Sequence, residues 1–191
     1  MAGSPENLDI SVELALQCLE EGRILHLNPT GFSMHPFVVS GETVAVQKAS
    51  LRELAPGDIV VIRNGDKFLL HRLLRVNDGF ITTKGDFEIA PDEPKSAAFL
   101  VGRVAYIKKT MGIIDMREAR WRNLSRRVMA FSSGIAGCVL KIPGAGKLGR
   151  FFRRGAFAAA AFPFNIALQI VIASFLLARP RADLKEEFPE P

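Results

Sequence analysis

Ser33 lies in the run Gly31-Phe32-Ser33-Met34-His35-Pro36, where a nearby glycine and proline restrict the backbone and hold one hydroxyl and one amide in a set orientation. Such a hydroxyl attacks a carbonyl only if a base stands within hydrogen-bond reach and donors await the oxyanion. His71 is the best candidate for that base. It sits inside the run K-F-L-L-H-R-L-L-R-V that begins at Lys67, where a period of two puts it on one face with Leu69 and Leu73. A histidine on a rigid strand among apolar neighbours suits general-base work near neutral pH, though taken alone it reads more readily as a satisfied core residue. An acid would complete the set by orienting the second imidazole nitrogen. The stretch Thr83-Lys84-Gly85-Asp86, with Asp92 following, offers two candidates.

Other chemistries fit less well. Lys67 and Lys84 keep a serine–lysine pair open, but a lysine base must be desolvated, and Lys67 follows Gly65-Asp66 at a turn where water should reach it. His35 is tethered too close to Ser33 for good geometry, and His26 reads as a plain strand residue. Three histidines and two cysteines, Cys18 and Cys138, show no metal-ligand spacing, so neither metal nor organic cofactor is expected. If the serine and histidine act together, Ser33 Oγ should lie within about 3.2 Å of a His71 nitrogen, or somewhat looser without substrate.

These residues need a rigid frame, and residues 22–110 read as one. Short β runs are predicted at 24–28, 43–47, 58–63, 67–76, 80–84 and 99–108. Asn64-Gly65 and Asp78-Gly79 suit tight hairpin turns that need positive φ, which makes neighbouring strands antiparallel. Ahead of this frame, residues 1–21 carry a short amphipathic helix over 10–21, with Asp9 as its expected N-cap. Residues 1–9 are small and polar, so no secretory leader is expected there.

The chain has 191 residues, 48% of them hydrophobic, and a mean hydropathy of +0.16, which excludes wholesale disorder and directs attention to an apolar segment. The net charge of +5 averages unlike parts: residues 103–154 carry +11 and the remainder −6. Within that basic region, residues 111–130 alternate arginines with apolar residues as an amphipathic helix does, and residues 143–149 form a glycine-rich hinge. Residues 155–178 then run without a formal charge, and about 20 such residues span a bilayer as a helix. A basic stretch beside an apolar one points to membrane lipids, and no recognition motif points to nucleic acid. A single pass through 155–178 is expected, with a helix lying in the interface or buried in a soluble core as the alternatives, followed by an acidic polar tail over 179–191. Five cations precede the segment and three follow it, which places its N-terminal side, with the β domain, in the cytoplasm.

Taken in order, Ser33-Met34-x-Pro36, Gly41-Glu42-Thr43-Val44, Pro56-Gly57-Asp58-Ile59-Val60-Val61, His71-Arg72, Thr83-Lys84-Gly85-Asp86 with Asp92, and Val101-Gly102-Arg103-Val104 resemble the signal peptidase I superfamily, which also holds the LexA-type self-cleaving repressors. The resemblance covers residues 24–109, although Glu42 stands where the family usually has aspartate. His71-Arg72 is similar to the archaeal and endoplasmic-reticulum type, in which histidine replaces the lysine base. The resemblance implies a mainly β catalytic domain with Ser33 as nucleophile, His71 as base and Asp92 as orienting acid. Asp86, Met34, Pro36, Arg72 and Gly85 would be supporting residues, with Met34 shaping the groove and the Ser33 amide donating to the oxyanion. The implied substrate is a protein or peptide bound as an extended strand. The implied function is leader or signal peptide removal at a membrane. A non-catalytic peptide-binding module, or a self-cleaving regulator on the same fold, is the alternative. The family's usual N-terminal anchor has no counterpart ahead of Ser33; the apolar segment here follows the β region instead.

Overall fold

The computed structural model describes residues 12–141 and 146–177. Helix α1 (Val12–Glu20) leads into eight strands: β1 (Leu25–Leu27), β2 (Thr43–Gln47), β3 (Ile59–Asn64), β4 (Lys67–Asn77), β5 (Phe80–Lys84), β6 (Lys95–Ser96), β7 (Leu100–Lys109) and β8 (Gly112–Asp115). They form one antiparallel half-barrel in the order β1-β2-β7-β3-β4-β5-β6. β3 and β8 share one edge of β7, β3 against residues 100–103 and β8 against 106–109. The expected mainly β domain with a short N-terminal helix and helical C-terminal region is what forms.

The alternation of apolar residues explains the strands. In β3, Ile59 and Val61 point into the main core while Val60 and Ile62 enter a second one with Leu73 and Ile81, so both faces of this central strand are covered. The Asp78-Gly79 turn is as expected: φ is +48° and +77°, and Asn77 pairs with Phe80. The other hairpin is shifted by one residue. Asn64 pairs with Lys67, so Gly65 and Asp66 make the turn and only Gly65 has positive φ.

Two further differences concern the C-terminal region. Residues 112–115 are strand β8, where Ile113 and Ile114 pair with Lys108 and Ile107, so the expected helix over 111–130 starts later. The β-branched pair extends the β7 hairpin at less cost than opening a helix there. Helix α2 (Ala119–Leu140) then buries Trp121, Ser125, Val128, Ser132, Ala136 and Val139 along one stripe and turns its arginines to solvent. Helix α3 (Gly146–Leu177) begins nine residues before the expected apolar segment and takes in the basic run Arg150–Arg154. Of the expected hinge, residues 143–145 lie outside the described residues, as do Asp9, residue 178 and the tail over 179–191.

α3 is long and apolar enough to cross a membrane. It does not stand apart from the domain. Leu168, Ile172 and Leu176 are buried in the core that holds Met34, Phe37 and Trp121, and Phe157 and Ala161 pack with Ala136 and Val139 of α2. Phe131 of α2 stacks on Phe164 of α3, and Trp121 meets Phe175 edge to face.

Candidate active site

The loop of residues 28–42 joins β1 to β2, and donors from three segments hold its backbone carbonyls. The Phe87 amide donates to Ser33 O at 2.8 Å, Gln169 Nε2 of α3 to Pro36 O at 2.7 Å, and Lys109 Nζ of β7 to Phe37 O at 2.8 Å. Glu42 completes the frame by pairing with Lys109 at 2.8 Å and accepting from the Val39 amide at 3.0 Å. Met34 is buried beneath the loop, and the His35–Pro36 peptide is cis. Ser33 itself is half-buried.

Gly85 lets Ser33 come this close. A Cβ on Gly85 would fall 2.8 Å from Ser33 O, 2.9 Å from Ser33 Cβ and 3.0 Å from Glu88 Cγ. Side chains essentially never pack so tightly, so the Ser33 loop and the 85–88 turn fit together only with glycine there.

His71 projects from the middle of β4 and is buried. Its Nδ1 lies 2.6 Å from Asp92 Oδ2, and the Thr83 hydroxyl donates to the same oxygen at 2.6 Å. The Asp92 amide donates to Thr83 O at 2.8 Å, which ties the acid back to β5. Burial opposes the charge on Asp92, but the bonds from His71 and Thr83 outweigh it and hold its carboxyl below the usual carboxylate range. An ionised carboxylate only accepts, so this bond puts the proton on Nδ1 and leaves Nε2 as the lone-pair nitrogen.

Nε2 is buried and has no hydrogen-bond partner among the described residues; Glu88 Oε1 stands 3.9 Å away. The His71–Asp92 pair is thus assembled, and no hydrogen bond links it to Ser33. Bonds of this kind are often long or poorly aligned without substrate and tighten in the reacting complex.

Arg72, next along the strand, points to the opposite face. It is buried in a bidentate pair with Asp86 (2.7 and 2.6 Å), donates to Gly57 O at 3.0 Å, and contacts the Ser125 hydroxyl of α2. Its guanidinium also lies over the Phe37 ring at 4.8 Å. Asp86 is therefore engaged with Arg72, and the acid on His71 is Asp92. Gly57 has φ +98°, and a side chain there would strike Arg126, so the Pro56-Gly57-Asp58 turn is also the seat of α2.

The two lysines separate. Lys67 is exposed at the start of β4. Lys84 pairs with Arg72 across β4 and β5 and so shares its face, away from His71. Its ammonium donates to Gly85 O at 3.0 Å and Ser132 Oγ at 3.2 Å. Burial pushes its pKa down to about 8 against the attraction of Asp86 and Glu88. It meets the desolvation a lysine base needs, but its protons are turned toward α2. His35 lies against Phe87, and its pKa is lowered by burial and by Lys109. His26 is paired in β1 opposite Ala45.

His71, Glu88 and Asp92 are the one group among the described residues whose ligand atoms gather closely enough, within 4.8 Å, to suggest a metal. Within this group Asp92 Oδ2 is already bonded to His71 Nδ1 and to the Thr83 hydroxyl. Sequence reasoning missed Glu88, Ser125, Ser132 and Gln169. An acid in a loop and serines in a helix give no signal, whereas an amide inside an apolar helix could have been read as a contact point.

A family model for Peptidase S24-like proteins matches residues 3–103, more than half of the chain. The chain belongs to this family. Membership covers LexA-like and signal-peptidase-I-like serine peptidases and makes the chain a serine-peptidase-type hydrolase at that coarse level. Among the curated proteins none matches it. The matched region ends inside β7, so α2 and α3 lie beyond it.

Proposed function

We propose that this S24-like protein is a serine endopeptidase attached to a membrane, which removes a leader or signal peptide from a protein substrate on the cytoplasmic side. The observation that carries the reading is the 2.6 Å pair of His71 Nδ1 and Asp92, with Nε2 left without a hydrogen-bond partner. In this mechanism Ser33 Oγ attacks the scissile carbonyl and passes its proton to Nε2. Asp92 holds the imidazole and faces the positive charge that forms, and the Ser33 amide donates to the oxyanion. His71 then returns the proton to the departing amine, leaving an acyl group on Ser33. Water, deprotonated by His71, attacks that ester and frees the serine. The residues need no metal or organic cofactor for these steps.

The substrate path follows from unpaired strand edges. β1 pairs with β2 on one side, and residues 67–71 of β4 pair only with β3, because β5 joins β4 from Arg72 onward. Between these two edges runs a cleft of about 730 Å³, lined by residues 26–31 and 66–70 and by Met34, with Ser33 on its wall. An extended peptide laid there finds main-chain partners on both sides, which is strand addition. The membrane part of the reading rests on the apolarity of α3 and on the basic residues at its start, which suit the anionic cytoplasmic leaflet.

A serine-reactive fluorophosphonate tests the chemistry. Mass spectrometry should find one adduct, on Ser33, with His71→Ala labelling at least 100-fold more slowly while remaining folded. Equal labelling of wild type and folded His71→Ala would overturn the histidine-base assignment. The open serine–histidine bond favours a second reading, a peptide-binding module on the same fold. That reading predicts peptide binding with no Ser33 adduct at any concentration.

A further inference from the structure

The inner side of α3 is committed to the domain, yet its outer side is apolar as well. Phe151, Phe152, Phe162, Ile166, Ile170 and Leu177 are between 49% and 73% exposed, a density that soluble surfaces rarely carry. The helix contains no acid, and Arg150, Arg153 and Arg154 gather in its first turns. An apolar face led by a basic end suits an anionic lipid surface.

A spanning helix conflicts with the packing on the other side. Gln169 lies six residues beyond Pro163, near the middle of the candidate span Gly149–Leu177. At about 1.5 Å per residue this is about 9 Å from the midplane, well inside a hydrocarbon core about 30 Å thick. There Gln169 bonds Pro36 O, three residues from Ser33. If α3 spanned as docked, the Ser33 loop and the Lys109–Glu42 pair would enter hydrocarbon, where irregular backbone facing lipid is not tolerated. Undocking α3 instead would strip Leu168, Ile172 and Leu176 from the core around Met34 and Phe37.

We infer that α3 lies in the plane of an anionic bilayer instead of crossing it. Its inner face is a wall of the β domain, and its outer face sinks to the boundary of headgroups and acyl chains. Arg150 and Arg154, both exposed, meet lipid phosphates, and the helix that touches the membrane is the helix that holds Pro36. The inference rests on the membrane part of the proposed function and not on the peptidase part, so its test reads binding and depth without reference to activity.

The experiment uses the full chain with phosphatidylcholine vesicles, with or without 30% phosphatidylglycerol. Flotation should favour the anionic vesicles by about 30-fold, the effect expected of two arginines at an anionic surface. The variant Phe162→Glu/Ile166→Glu/Ile170→Glu changes only exposed positions, and should lose flotation while keeping the wild-type thermal transition. In a background with Cys18 and Cys138 replaced by serine, fluorophores on single cysteines at positions 162, 166, 170 and 177 should be quenched by lipid spin labels at one shallow depth. Deep quenching at 162 and 166 with shallow quenching at 177 would establish a spanning helix and overturn the inference. Absence of binding to either vesicle, with a dimer by sedimentation that the triple variant dissolves, would overturn it in favour of self-association.

Discussion

At His71 the chemistry depends on which nitrogen carries the proton. The Asp92 carboxylate, held ionised by two hydrogen bonds, assigns it to Nδ1 and so leaves Nε2 as the nitrogen for the proposed base. Asp92→Asn keeps the shape but can donate to Nδ1 and stabilise the wrong tautomer. Its kcat should fall by about 10²- to 10⁴-fold with little change in KM, read by steady-state kinetics on a peptide substrate. Gly85→Ala adds one methyl group against Ser33. The expected result is a folded protein with kcat reduced about 100-fold, because an ångström of misplacement costs that much. The loop that carries Ser33 and the strand that carries His71 were legible from turn residues and alternation, whereas Asp92 was singled out only by the family resemblance. The division between Asp86 and Asp92 was not legible, since it depends on which face of β4 each acid meets, and Arg72 claims one of them. Glu88 was equally hidden, being an ordinary acid until the 85–88 turn folds it toward His71.

Among the elements, the polar layer between the sheet and α2 has the largest leverage on stability. Arg72, Asp86, Ser125 and the Gly57 carbonyl form a buried cluster that joins β4, the turn after β5, α2 and the Pro56-Gly57-Asp58 turn. Asp86→Ala leaves the guanidinium buried without its carboxylate, and urea unfolding should show a loss of about 3–5 kcal/mol. Lys84 gives this layer a pH signature. Its folded pKa of about 8 lies below its ordinary 10.5, so between these values the unfolded chain binds more protons. This group therefore makes stability rise as pH climbs from about 8 to 10.5, and below that window its burial cost is fully present. Lys84→Met should remove that rise and stabilise the protein below pH 8, as thermal melts across pH 7 to 10.5 would show. Most strands were legible from alternation and turn residues. β8 was not, because Gly112–Asp115 is too short to show a period and adjoins an arginine-rich helical pattern. The two serines on α2 were hidden because only the fold sets them at the stripe facing Arg72 and Lys84.

For the whole molecule, the matched peptidase region supplies the cleft and the His71–Asp92 pair, while the chain beyond it supplies a wall. α2 and α3 close one side of the half-barrel, and α3 touches the Ser33 loop directly. Composition made α3 legible as a long apolar segment but could not show that one of its faces is docked, since both faces are apolar. The charge division between residues 103–154 and the rest becomes a physical one: the arginines of α2, with Arg150 and Arg154 of α3, are exposed, and the acids that His71 and Arg72 rely on belong to the β domain. The central claim is that Ser33 cleaves a peptide bond in another protein. The measurement that tests it most directly compares protein N-termini in membrane and cytosolic fractions from cells making wild type or Ser33→Ala. New N-termini that require Ser33, lying just after a leader segment in membrane-associated substrates, are the result this account predicts. Identical N-termini in the two samples, with both proteins folded and equally abundant, would contradict it.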